Sequence, residues 1–236
     1  GKLAAFGFAD KHELITYGEH LKFIKIEVSS YEDIVKLASI NGVKSVDFFQ
    51  EYSLPLSEFA NTDLQAFLDV EYSDSDTCIG IIDGGISTDN NFLQPYIIAR
   101  EEYVNQTYRN PSHATFIAST IQYGNQLNGI AVLNPQRFKF VDIIAIPNGD
   151  PHFGPTDGIG EEELMEIIEE VMQKYAATVK VWNISLGIER KMCQGSMSDL
   201  GIFLDYVQDE YQVQIFVCSG NLNSLPLRQW PVQEDM

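Results

Sequence analysis

The segment at residues 77–86, with the sequence TCIGIIDGGI, decides the fold that we expect for this chain. It is a continuous apolar run with several β-branched residues, which is typical of a buried strand in a parallel sheet. The run stops at Asp83, and two glycines follow that let the backbone turn sharply. We therefore expect Asp83 at the carboxyl edge of a sheet, where open α/β folds bind their ligands. A carboxylate that merely caps a strand in a turn is the alternative interpretation.

Downstream of this strand, predicted strands and helices alternate. Strands are predicted at residues 138–146, 179–184 and 213–218, and helices near Ser112, at 161–175 and at 198–211. Ser112 is a candidate N-cap of its helix. The segment from residue 84 to about Asn110 is predicted to be a polar loop. Strands that alternate with helices predict a mainly parallel sheet covered on both faces.

The residues before this region divide into two further parts. Residues 1–55 are predicted to form a small α+β module, with strands at 21–28 and 43–49 around a short helix capped by Ser29 or Ser30. Residues 56–76 are polar and irregular, and we interpret them as a linker. Residues 77–236 then form the main domain.

The composition excludes several classes of protein. The chain has 236 residues, enough for one large α/β domain or a medium domain with a small companion, and its net charge of -19 argues against nucleic acid and anionic membranes as partners. No apolar segment is long enough to span a bilayer, and no signal peptide opens the chain. The three cysteines are too few for a disulfide framework, and their number is compatible with the cytoplasm. The compartment itself is not specified by the sequence.

Polar motifs follow or begin the predicted elements in the order DGG (83–85), SHAT (112–115), NISLG (183–187) and SGN (219–221). In this order they resemble the subtilisin-like (S8 family) serine peptidases, whose catalytic Asp, His and Ser occur in that order along the chain. The resemblance implies a three-layer subtilisin-like fold with a mainly parallel central sheet, and hydrolysis of peptide bonds through an acyl-enzyme. Residues 1–55 resemble the family's inhibitory propeptide, a ferredoxin-like module; a plain structural extension is the alternative.

The resemblance also implies roles for particular residues. His113 would act as general base and acid, because an imidazole titrates near working pH. Asp83 would orient the imidazole and stabilise its charged form, and the side-chain amide of Asn221 would donate to the oxyanion. Each residue also has a structural interpretation: His113 as a surface or capping residue at a helix start, and Asn221 as a turn residue that tolerates positive φ.

The motif at Ser185, Leu186 and Gly187 is the candidate substrate-binding segment. In the family that it resembles, this segment borders the cleft, and an extended peptide would pair with its backbone by strand addition. An ordinary edge strand is the alternative.

The sequence departs from the family pattern at three points. Gly84 replaces the usual Ser or Thr after the aspartate, and Ala114 replaces the glycine after the histidine. More importantly, no Gly-Thr-Ser-x-Ala motif, which carries the nucleophile in the family, follows Asn221. Gly195-Ser196-Met197-Ser198 precedes the SGN motif, so its serines are in the wrong order for a nucleophile, and Ser196 or Ser198 is better explained as the cap of the helix that follows.

We therefore expect the chain to be the N-terminal portion of a subtilisin-like serine endopeptidase, truncated before the nucleophile and inactive alone. Its expected partners are a peptide or protein substrate and its own propeptide-like module. No metal or cofactor is expected; calcium is common in the family, but no cluster of acids has recognisable ligand spacing. Two other classes remain open: a non-catalytic peptide-binding pseudoprotease, and a protease inhibitor or chaperone whose residues 1–55 act on a separate protease.

Overall fold

The computed structural model describes residues 2–8, 12–19, 21–49, 51–52, 77–127, 137–149, 158–186 and 197–218. Within these residues the chain is a mixed α/β protein, in which a five-stranded parallel sheet is flanked by helices. The predicted linker at residues 56–76 lies outside the described residues.

The N-terminal part is built on an antiparallel hairpin. Its elements are α1 (Lys2–Ala5), β1 (His12–Tyr17), β2 (Leu21–Ile26), α2 (Tyr31–Ala38) and β3 (Glu51–Tyr52). β1 pairs with β2, and α2 begins after Ser30, whose Oγ accepts the Asp33 N–H at 3.3 Å. The predicted helix and its Ser30 cap are therefore confirmed.

The strand predicted at residues 43–49 is not formed, and that prediction is wrong. No strand in the described part of the chain pairs with these residues. Their side chains favour extended backbone, but strand propensity depends on cross-strand neighbours that are absent here. Among the described residues, the next strand is the two-residue β3.

The main domain alternates strands and helices, as predicted. Its elements are β4 (Cys78–Asp83), β5 (Ile97–Glu102), α3 (Ser112–Leu127), β6 (Lys139–Ile144), β7 (Ile159–Gly160), α4 (Glu161–Tyr175), β8 (Val181–Ile184), α5 (Asp199–Tyr211) and β9 (Gln214–Val217). The central sheet has the order β5-β6-β4-β8-β9, and all neighbouring strands are parallel. Because β4 is the middle strand, Asp83 lies at the centre of the carboxyl edge. The mainly parallel sheet is confirmed.

Alternate residues of β4 contribute to two hydrophobic clusters, one on each face of the sheet. Ile79 and Ile81 pack with Ala114 and Ala118 of α3 in one cluster. Ile82 belongs to the larger cluster, which contains the apolar stripes of α4 and α5. This burial on both faces explains why β4 is a continuous apolar run.

One strand lies inside the segment predicted to be a loop. β5 occupies residues 97–102, with the sequence IIAREE, and pairs only with β6 at the edge of the sheet. An edge strand is buried less completely than a central one, so its polar residues masked the strand signal. The Arg100 side chain is accommodated because it faces a buried carboxylate on β6, Asp142.

The N-terminal hairpin packs against α4 and α5. The Tyr17 ring meets the Phe203 ring edge-on at 4.6 Å between centroids, and Lys25 forms an ion pair with Glu162. Burial and three nearby glutamates of α4 raise the pKa of Tyr17 to about 12. The hydrogen bond from Lys25 to Glu162 raises the lysine pKa in turn. The acids in the first turns of α4 therefore form part of the surface that the hairpin covers.

Candidate active site

Asp83 is held at the end of β4 by the turn that follows it. Its side chain is fully buried, and the Gly84 N–H donates to its Oδ1 at 2.6 Å. Gly85 has φ of 93°, a conformation that favours glycine, and a Cβ at this position would lie 2.8 Å from the Ile144 side chain. The geometry of this turn therefore requires glycine at position 85.

His113 lies in the first turn of α3. The helix begins at Ser112, whose N–H donates to Asn110 Oδ1 at 3.1 Å, so Asn110 performs the capping role that we expected of Ser112. Thr115 Oγ1 accepts the Ser87 N–H at 2.8 Å. The helix that carries His113 is thus tied directly to the loop that follows Asp83.

The structure brings Asp83 and His113 together. His113 Nδ1 lies 2.7 Å from Asp83 Oδ2, and the imidazole is 14% exposed against 0% for the carboxylate. Burial disfavours the charged imidazole, but the hydrogen bond and the charge of Asp83 outweigh this effect and raise the pKa of His113. A buried carboxylate on Nδ1 fixes the orientation and the tautomer of the imidazole ring.

A second buried carboxylate, Asp142, lies beside this pair and was not identified from the sequence. Both of its oxygens accept the Ile86 N–H, at 3.2 and 3.1 Å, and Arg100 Nε donates to Oδ2 at 2.8 Å. Burial raises the pKa of Asp142 to about 6, the Ile86 N–H and Arg100 oppose the rise, and the charge of Asp83 adds to it. The position of Asp142 within the apolar run at residues 138–146 could have indicated a buried carboxylate.

Two of the candidate substrate-binding residues follow β8 at the same carboxyl edge. Ser185 Oγ donates to Asn183 Oδ1 at 2.8 Å, and the Leu186 carbonyl accepts the Cys218 thiol at 2.9 Å. Gly187 and the candidate oxyanion residue Asn221 lie outside the described residues. Their assigned roles therefore stay predictions.

A strand-addition contact connects the N-terminal part to the main domain. β3 pairs antiparallel with β7, with Glu51 opposite Gly160 and Tyr52 opposite Ile159. The buried Tyr52 hydroxyl donates to Glu161 Oε2 at 2.7 Å, directly after β7. β7 thus pairs with an extended segment through its backbone, a role that we expected of Ser185, Leu186 and Gly187.

The described residues contain no group of three or more His, Cys, Asp and Glu side chains that could hold a metal ion. Among the helices of the described ranges, none is long and apolar enough to cross a membrane. No protein-family model matches the sequence, and a search of curated proteins found no match either. The geometry of Asp83 and His113 is therefore the main ground for assigning a function.

Proposed function

We propose that this chain carries the aspartate, histidine and oxyanion asparagine of a subtilisin-like serine endopeptidase. The observation that carries the proposal is the hydrogen bond of 2.7 Å between His113 Nδ1 and the buried Asp83 Oδ2 at the centre of the carboxyl edge. Both residues were selected from the sequence because of their motif order. Contact between two side chains 30 residues apart is not required by the strand–helix pattern alone.

In the proposed reaction, a serine outside these 236 residues attacks the scissile carbonyl carbon. His113 Nε2 accepts the serine proton and then donates it to the leaving amine, while Asp83 stabilises the imidazolium. Water then hydrolyses the acyl-enzyme by the same proton transfers. Asn221 would donate its side-chain amide N–H to the oxyanion in both steps.

The raised pKa of His113 supports this role. A carboxylate that stabilises the imidazolium in the resting protein also stabilises the imidazolium that forms when the serine is deprotonated. The ring is mostly buried, so water screens this interaction poorly.

We further propose that the N-terminal part is an intramolecular propeptide-like module. Three contacts support this role: the β3–β7 pairing, the Tyr52–Glu161 hydrogen bond and the Lys25–Glu162 ion pair. A strand that adds to β7 would occupy backbone positions that an extended substrate could use. The module would therefore compete with substrate.

Labelling with a serine-directed fluorophosphonate tests the enzymatic proposal. The 236-residue chain should not be labelled at Ser196 or Ser198. A longer protein, extended through the downstream reading frame, should be labelled at the serine of a Gly-Thr-Ser-x-Ala motif. In subtilisin, loss of the serine alone lowers kcat about 2 × 10⁶-fold, so the two proteins should also differ clearly in peptide hydrolysis.

The matched control uses two histidines. His113→Ala should abolish labelling of the longer protein, whereas His12→Ala should not, because His12 lies on β1 and its Nδ1 bonds the Phe8 carbonyl at 2.9 Å, away from Asp83. Labelling that survives His113→Ala, or a downstream frame without the motif, would refute the proposal.

A non-catalytic peptide-binding protein is the second candidate. The β3–β7 pairing favours it, because strand addition requires no serine. A stop codon directly after Met236, together with saturable binding of an extended peptide to a chain with the β3 segment deleted, would support this candidate over the enzyme.

A further inference from the structure

The ion pair between Arg100 and Asp142 holds Ile86 by both its backbone N–H and its backbone carbonyl. Asp142 on β6 lies in register with Arg100 on β5 and with Ile81 on β4. Its carboxylate accepts the Ile86 N–H, while Arg100 Nη2 donates to the Ile86 carbonyl at 2.6 Å. Two neighbouring strands of the sheet therefore anchor the loop that begins at Asp83.

Burial of the Arg100–Asp142 ion pair has a desolvation cost that apolar side chains at the same positions would not have. Asp142 is fully buried and the Arg100 side chain is 20% exposed, so both charges lose most of their hydration. Apolar residues of similar volume often serve stability as well as or better than a buried ion pair. The guanidinium instead offers two N–H donors in a fixed geometry, one for the carboxylate and one for a carbonyl.

The turn between Asp83 and Ile86 has particular need of external anchors. It consists of two glycines, the residue type with the greatest backbone freedom in the unfolded chain. Gly84 has no side chain, so its contribution to holding Asp83 is the backbone N–H. Ile86 is anchored by the ion pair and Ser87 by Thr115, so two successive residues directly after the glycines are restrained.

We propose that Arg100 and Asp142 are positioning residues, which hold Ile86 and so orient Asp83 Oδ2 toward His113 Nδ1. The proposal rests on the proposed function only in that it treats the Asp83–His113 contact as the catalytic one. Neither side chain forms a hydrogen bond or an ion pair with His113, so their effect on the imidazole passes through the loop.

The test measures the pKa of His113 in the 236-residue chain by NMR, together with the downfield resonance of its Nδ1 proton. Removing a nearby cation raises the pKa of an imidazole when only direct electrostatics act. Loss of the Asp83 hydrogen bond lowers it. Arg100→Gln should therefore raise the pKa of His113 if Arg100 acts only by direct electrostatics, and lower it if Arg100 maintains the Asp83 hydrogen bond. We expect the pKa of His113 to fall and the downfield resonance to weaken.

Arg100→Lys provides a second variant with the charge retained. Because an ammonium cannot make both contacts in the geometry of the guanidinium, we expect a smaller fall of the same sign. Lys174→Gln is the control: it removes a cation that pairs with Glu101, the next residue on β5, and should leave the His113 pKa unchanged. If Arg100→Gln does not fold, a fall in the His113 pKa of Arg100→Lys serves as the test of the positioning role.

An unchanged or higher His113 pKa in the folded Arg100 variants would overturn the positioning role. The result is independent of the fluorophosphonate experiment, because it is read in a chain without the nucleophile. A fall in pKa without labelling of the longer protein would leave the positioning role standing and reject the peptidase. Labelling of the longer protein without a fall in the His113 pKa would support the peptidase and reject the positioning role.

Discussion

Gly80→Ala should strongly lower the free energy of unfolding, because Gly80 lies against the buried indole ring of Trp182. The two residues are register partners on β4 and β8. A Cβ at position 80 would lie 2.0, 2.2 and 2.5 Å from three carbons of Trp182. The ring is fully buried, and its Nε1–H donates to the Val179 carbonyl at 3.0 Å.

The size of the effect follows from how far the ring must move. Carbon atoms in contact are about 3.5–4 Å apart, so the indole would have to retreat by roughly 1.5 Å into a packed core. Overpacking typically costs about 1–3 kcal/mol and occasionally more, and loss of the packing of a buried tryptophan by truncation to alanine costs about 3–5 kcal/mol. We expect a loss of about 3 kcal/mol or more in the free energy of unfolding.

Urea unfolding followed by far-UV circular dichroism measures this loss. Gly124→Ala in α3 is the matched control: its Cβ would meet only Thr120 Cγ2 at 3.6 Å, so the change should be neutral or stabilise by up to about 1 kcal/mol. The cost of Gly80→Ala should also shrink in a Trp182→Leu background. A Gly80→Ala variant within about 0.5 kcal/mol of the unmutated protein would refute the reasoning, because surface changes have effects of that size.

Three further outcomes are expected. Asp83→Asn should lower the pKa of His113, measured by NMR; in the unmutated protein the stability from this pair is present below the ordinary histidine pKa of 6.5 and is lost as pH rises through the higher folded value. The pKa of Asp142, raised from 3.8 to about 6, should make stability fall by about 3 kcal/mol as pH rises across that interval. Urea titrations across this pH interval should show a flatter profile for Asp142→Asn, and parallel profiles would contradict the assignment. Tyr52→Phe should cost about 1.5–3 kcal/mol in urea unfolding, because the buried carboxylate of Glu161 loses its hydroxyl donor; an effect below about 0.5 kcal/mol would show that water replaces the hydroxyl.

The parts of the fold predicted from the sequence are those whose signal is local. α4 was predicted with its observed bounds, Glu161–Tyr175, because its apolar residues keep helical spacing and its acids cluster in the first turn. Ser198 was correctly placed as a cap, and its Oγ accepts the Gly201 N–H at 3.1 Å. β4 was recognisable because a strand buried on both faces has no polar positions to interrupt it.

The features that escaped prediction depend on neighbours distant in the sequence. β5 is a strand because β6 pairs with it, and the segment at 43–49 is not one because no such partner exists in the described part of the chain. Arg100 and Asp142 are 42 residues apart and become register partners only when the sheet forms. Asp83 and His113 could be paired in advance because a known motif order supplied the long-range information that periodicity lacks.

β3 and β7 belong to one chain, so the fraction of molecules in which β3 covers the edge of β7 does not depend on protein concentration. A free peptide that competes for β7 must therefore displace a strand that covalent linkage keeps close to it. Dilution would not open the edge, whereas a single cut between the two strands would turn the tethered strand into an ordinary, dilutable ligand.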